Sequence, residues 1–155
     1  MDFNKDCMKG FETTQMGEYA EIMSKECIKR NAQEILEIGV NVGASTRILL
    51  EVCRITGGRL TSVDINAKCK MVANDKNWTF ICENSAFISF DKRLDVLLID
   101  SSHYYTETAI ELNRFVPLVK DDGIIFLHDI DIPGVYKAVM EYMVEHNQYN
   151  LKVVK

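Results

Sequence analysis

The chain has 155 residues, 47% of them hydrophobic, with 23 acidic against 18 basic side chains and a formal charge of −5. That length suits one compact domain, and the acidic balance gives no electrostatic footprint for a phosphate backbone, so nucleic acid is not an expected partner. Apolar runs such as 123–127 fall far short of the roughly 20 residues a membrane helix needs, and the first ten residues lack the apolar core of a signal peptide, so a cytoplasmic protein with no membrane partner is expected.

Taken in chain order, Met16, Tyr19, Ala20, Met23 and Cys27 share one face of a helix expected over 14–30, the core of an N-terminal arm spanning 1–31. A short strand follows at Glu34–Ile38, ending at Gly39. Then come the turn Val40-Asn41-Val42-Gly43, a helix-like run over 47–55, and Gly57-Gly58 to stop it. The pattern repeats: strand 60–65 with a short helix near 67–73, strand 79–82 with a short segment near 85–90, and strand 94–100 with a helix near 106–116. It ends with strand 123–128 and a helix over 135–146 that Pro133-Gly134 introduces. Residues 150–154 form a candidate further strand. The runs Val96–Ile99 and Ile124–Leu127 lack polar alternation, as strands do when helices cover both faces of a parallel sheet. The expected class is therefore α/β, a doubly wound, mostly parallel, Rossmann-like sheet.

The five cysteines are widely spaced, with no Cys-x-x-Cys pair, and read as reduced thiols, mostly buried. In doubly wound sheets ligands sit beyond the carboxyl ends of the strands, which groups Gly39, Asp64, Asn84, Asp100 and Asp129. The first turn has two glycines four apart rather than Gly-x-Gly-x-x-Gly, a spacing that disfavours a dinucleotide and leaves room for a ligand portion without phosphates. Ser45 and Thr46 are placed to cap the next helix or bond a carboxylate. Asp64, about twenty residues beyond Gly43 at a strand end, is placed to accept ribose hydroxyls.

These features resemble a class I S-adenosylmethionine-dependent methyltransferase over about 34–144. The stretch Glu37–Gly43 matches Glu-x-Gly-x-x-x-Gly. Three further blocks, Leu98–Tyr105, Phe115–Gly123 and His128-Asp129 with Pro133-Gly134-Val135, are similar to the compact small-molecule O-methyltransferases that include macrocin O-methyltransferase-like and cephalosporin-hydroxylase-like proteins. The resemblance implies one S-adenosylmethionine-binding methyltransferase domain over 1–155, with a small-molecule hydroxyl as acceptor. It implies a methionine end lined by Gly39, Asn41 and Gly43 within the matched Glu37–Thr46 block, in which Glu37, Ser45 and Thr46 also count as cofactor positions. It further implies a ribose on Asp64, an adenine beside Asn84 and Ser85, and Asp100 as both cofactor contact and catalytic group. This chain departs from the family pattern in having Glu83-Asn84-Ser85 for Gly-Asp-Ser or Gly-Asp-Ala, and Ser101-Ser102 for Gly-Asp.

Asp100 and Asp129 are candidate ligands for Mg²⁺, as hard oxygen donors on neighbouring strands; the bland reading is a pair of caps or cofactor contacts. His103 is the first candidate base, with His128 its rival, because imidazole titrates near working pH. His146 is expected to favour a helix C-terminus, Tyr104 and Tyr105 to line the acceptor pocket or pack the next helix, and Trp78 to serve the core. The chain offers no evident antiparallel hairpin after the fifth strand, so a homodimer or a partner-completed sheet edge is expected. Two other readings remain open from sequence: a non-catalytic S-adenosylmethionine-binding module completed by a partner, and a nicotinamide-dependent oxidoreductase, which the missing third glycine disfavours.

Overall fold

The computed structural model describes residues 15–147, 149 and 150. Helix α1 (Gln15–Lys29) leads into β1 (Glu34–Ile38), α2 (Ala44–Thr56), β2 (Arg59–Asp64), a 3₁₀ turn (Ala67–Met71) and β3 (Trp78–Cys82). There follow β4 (Leu94–Ile99), α3 (Tyr105–Phe115), a 3₁₀ turn (Val116–Leu118), β5 (Val119–Leu127) and α4 (Pro133–Glu145). All strand pairings are parallel, in the order β3-β2-β1-β4-β5. The expected doubly wound α/β class is thus the observed one, with its order reversing between β1 and β4.

Alternation along the strands divides the core. Ile35, Leu60, Val96 and Leu98 face α1 and α2, where Ala20, Met23, Cys27, Ile48, Leu49 and Val52 meet them. Leu36, Ile38, Val63, Leu97 and Ile99 face α3 and α4, against Leu112, Phe115, Val135 and Val139. Burying each such side chain contributes about 1.5–3 kcal/mol, so the sheet held between these two layers is the rigid part of the molecule.

The short segment expected near 85–90 holds a hydrogen-bonded turn, with Phe87 N–H donating to Asn84 O at 2.9 Å. The bounds of one strand need correction. The fifth strand starts four residues earlier than its apolar run, because Val119 pairs with Leu94 before a register irregularity carries Asp121-Asp122 outward. The candidate strand 150–154 lies almost wholly outside the described residues, as does Cys7. Among those described, Cys27, Cys53 and Cys69 are buried, Cys82 is exposed, and all four are free thiols.

Candidate functional site

Parallel ladder bonds continue past the strand ends and set the candidate residues in one row. Gly39 N–H donates to Val63 O (2.9 Å), Asp100 N–H to Ile38 O (2.8 Å), His128 N–H to Ile99 O (3.1 Å) and Glu83 N–H to Asp64 O (3.2 Å). The row crosses the point where strand order reverses, the position at which open parallel sheets bind ligands.

The first turn requires its glycines. Gly39 has φ +92°, and a Cβ there would lie 1.9 Å from Asp100 O; Gly43, at φ +76°, opens α2, and a Cβ there would strike Val72. Asn41 is also left-handed, at φ 48°. Asp64 sits across from this turn. Its Oδ2 accepts the Val40 and Asn41 N–H groups at 2.8 and 3.2 Å, and its Oδ1 accepts Asn66 N–H at 2.8 Å. Burial raises its pKa, but the N–H groups of Asn66, Val40 and Asn41 outweigh that and hold the carboxyl below its ordinary value.

Glu37, Ser45 and Thr46 are not at the crevice surface. Glu37 shares a strand face with Ile35, which turns it under the first turn of α2, and it is fully buried. Its carboxyl accepts Ser45 Oγ (2.5 Å), Thr46 Oγ1 (2.8 Å) and Ser62 Oγ (2.5 Å), and Ser62 in turn accepts Trp78 Nε1–H at 2.9 Å. The α2 N-cap makes no side-chain capping bond. The carboxylate that Ser45 and Thr46 bind is therefore the chain's own, and this trio lies buried beneath the turn.

Beyond β3, Asn84 Oδ1 accepts Ala86 N–H at 2.8 Å, so one lone pair of its side-chain oxygen is already engaged. Ser85 Oγ points away from the open crevice, donating to Glu111 Oε1 at 2.7 Å. Glu111, on α3, was not singled out in sequence. It is buried and accepts Ser101 Oγ as well, at 2.8 Å (Oε1) and 2.6 Å (Oε2). Its signal was an acid lying beside the apolar stripe of Leu112 and Phe115.

At the ends of β4 and β5 the structure gathers Asp100, His103, Asp129 and His128. His103 Nε2 lies 2.7 Å from Asp129 Oδ2, and His128 Nδ1 lies 3.0 Å from the same oxygen and 3.4 Å from Asp100 Oδ1. His128 Nδ1 is within ion-pairing reach yet outside hydrogen-bond geometry, and Ser102 Oγ is buried without a partner. Both atoms belong to residues lining a cavity of about 10 Å³, together with Asp100 and His103. Burial raises the Asp100 pKa; His128 lowers it, and Asp129 raises it again. Asp129 holds φ 53°, a left-handed conformation that an Asp adopts more readily than most residues.

One ligand atom each from Asp100, His103 and Asp129 lies within 4.8 Å of the others. Two facing carboxylates beside an imidazole nitrogen without hydrogen-bond geometry fit a divalent cation, with the nitrogen broadening the choice from Mg²⁺ toward Mn²⁺. Asp129 follows β5, which among the described residues is an edge strand rather than a central one, but β4 and β5 are neighbours as expected.

Adjacent elements frame this cluster. Tyr19 of α1 meets the His128 ring edge-on at 6.0 Å. Gly134 opens α4 so closely against the His103–Tyr105 segment that a Cβ there would lie 2.9 Å from His103 O. Tyr105 packs on α4, its hydroxyl donating to Glu141 at 2.6 Å and its ring lying under Lys137, whereas Tyr104 is 73% exposed. His146 sits at the C-cap of α4, as expected, with its ring 4.3 Å from that of Tyr142. A larger cavity, about 720 Å³, runs along the outer edge of β5; Tyr142 lines it, but Asp64, Asp100, His103, His128 and Asp129 do not. The converging polar side chains and the strand reversal, rather than cavity size, identify the site.

Comparison with known proteins bears on this geometry. A family model described as "Methyltransferase domain" matches residues 36–130. No curated protein sequence matches the chain. Among solved structures, the O-methyltransferase NovP superposes with a TM-score of 0.68 at 18% identity, over 84% of this chain and 71% of that one. The Podospora anserina methyltransferase PaMTH1, bound to S-adenosylhomocysteine (SAH), gives 0.64 at 15% identity over 96% and 89%. MycE, in complex with Mg, SAH and mycinamycin VI, gives 0.72 at 15% identity over 96% of this chain, which spans 49% of MycE. At these identities the likeness is one of fold.

Proposed function

The chain belongs to the methyltransferase-domain family, and from that premise we propose that it transfers the methyl group of S-adenosylmethionine to a hydroxyl of a small-molecule acceptor in the cytoplasm. The observation that carries the reading is the single row of Asp64, the Gly39–Gly43 turn and the Asp100, His103 and Asp129 cluster across the strand reversal. The solved methyltransferases of the same fold, two of them bound to SAH, support the donor.

The methionine end of the donor lies over Gly39, Asn41 and Gly43, where the absence of a Cβ at the two glycines lets backbone come close. The ribose reaches Asp64 by displacing the longest of its backbone contacts, the Asn41 N–H at 3.2 Å. Ile65, 75% exposed beside Asp64, offers the adenine an apolar face, with Asn84 at its edge. The acceptor oxygen attacks the methyl carbon in line; the carbon–sulfur bond breaks, and its electron pair neutralises the sulfonium. His103 Nε2 lies against Asp129 Oδ2, and its other ring nitrogen, Nδ1, takes the acceptor proton. Asp100 and Asp129 would hold a divalent ion, which when bound supplies Lewis-acid polarisation of the acceptor oxygen.

Isotope-labelled methyl transfer to a panel of hydroxyl, amine and thiol acceptors tests this. Transfer to hydroxyl acceptors, lost with EDTA and restored by Mg²⁺ or Mn²⁺, is the expected result. Transfer confined to amines or thiols would contradict the acceptor class, and turnover indifferent to EDTA would remove the metal. For the assembly, we infer that a second copy of the chain adds along β5, whose outer edge is unpaired among the described residues.

A further inference from the structure

Helix α3 carries an acid where its packing calls for an apolar side chain. Thr108, Glu111, Leu112 and Phe115 form its buried stripe, at spacings of three and four, and Glu111 is only 2% exposed. The groups that meet its carboxyl are hydroxyls rather than a cation: Ser85 Oγ at 2.7 Å, and Ser101 Oγ at 2.6 and 2.8 Å. Burying a carboxylate without a cationic partner costs several kcal/mol, so a role confined to packing would be better met by Leu or Met.

What the two hydroxyls have in common is their position. Ser85 follows Asn84 beyond β3, and Ser101 follows Asp100 beyond β4. These strands are separated by β2 and β1, three inter-strand spacings or about 14 Å, so no backbone ladder can join their loops. One carboxylate holds both: Oε1 accepts both hydroxyls and Oε2 accepts Ser101 Oγ as well, whereas an amide would remove the charge and turn an N–H₂ donor toward one of these hydroxyls. One turn further along α3, Arg114 donates to Ala86 O and Ile88 O and holds the far part of the same loop independently.

We propose that Glu111 is a positioning residue that ties the loop beside the cofactor's adenine to the turn carrying Asp100, so that order at one end of the crevice is transmitted to the other. The roles of the two ends rest on the methyltransferase reading above; the tie itself does not. Glu111 touches neither reacting atom, and its effect runs through Ser85 and Ser101.

Two measurements on the whole chain test this. Amide hydrogen exchange without ligand reads the tie directly: E111Q is expected to speed exchange in both 84–87 and 101–104, leaving β1 and α2 unchanged. SAH titration reads its consequence through a double-mutant cycle. S101A, remote from the adenine loop, is expected to weaken SAH binding about threefold in the wild-type background and to have no effect once E111Q is present. Exchange that rises in one segment only, or an S101A effect of equal size in both backgrounds, overturns the proposal. If E111Q does not fold, the S85A/S101A double variant carries the exchange test. If the wild-type chain binds no SAH, the donor assignment falls, while the exchange result still decides the tie.

Discussion

Glu37 shows how a buried side chain can support the turn between β1 and α2 from below. Burial is the main influence on its carboxyl and raises its pKa; Ser45, Ser62 and Thr46 lower it, Asp100 raises it, and the net value is about 7 against an ordinary 4.5. A carboxyl raised on folding binds its proton more tightly in the folded state, so its contribution to stability is most favourable below pH 4.5. That contribution declines as pH rises to about 7 and is constant above. The gap corresponds to about 3 kcal/mol at about 1.4 kcal/mol per pKa unit. Glu37→Gln should therefore flatten the fall in thermal midpoint between pH 5 and pH 8 relative to wild type, as followed by calorimetry. An unchanged pH slope would show that Glu37 does not titrate in this window. The period-two alternation that places Glu37 with Ile35 under α2 was present in the sequence. Its three hydroxyl partners were not all legible, because Ser62 comes from β2, 25 residues away.

Among the elements, β1 was legible to the residue, since its apolar run and its closing glycine coincide with its ends. Strand β5 was not, because Lys120-Asp121-Asp122 looks like a turn, and only pairing with β4 draws Val119 into the ladder. The helix expected near 106–116 was placed without singling out Glu111, whose partners lie 26 and 10 residues away on separate loops. Strand β5 also bears on assembly. Among the described residues it pairs only with β4, and its open side meets a groove lined by Leu112, Val116, Ile125, Val139 and Tyr142. Sedimentation velocity is expected to show concentration-dependent association to a dimer, and a monomer across a hundredfold range of concentration would exclude pairing along β5.

For the whole molecule, the alternation of strands and helices was enough to reach the fold, and the resemblance carried by Glu37–Gly43 and the three later blocks reached the methyltransferase family. The structure adds what spacing cannot carry: which strand-end groups meet. His103 and His128 stood as rivals in the sequence, yet both close on Asp129, since the turn after β4 and the end of β5 converge across a ladder that no local pattern reveals. Asp64 likewise turned out to be held by the backbone of the first turn, which would link the proposed ribose position to the conformation of the proposed methionine cradle. The central claim is that this crevice holds S-adenosylmethionine with Asp64 on the ribose. Isothermal titration of wild type and Asp64→Ala with SAH tests it most directly. One saturable site in the wild type is expected, weakened at least tenfold, or about 1.4 kcal/mol, in the variant while cooperative unfolding is retained. No binding by the wild type, or equal affinity in the two proteins, would contradict it.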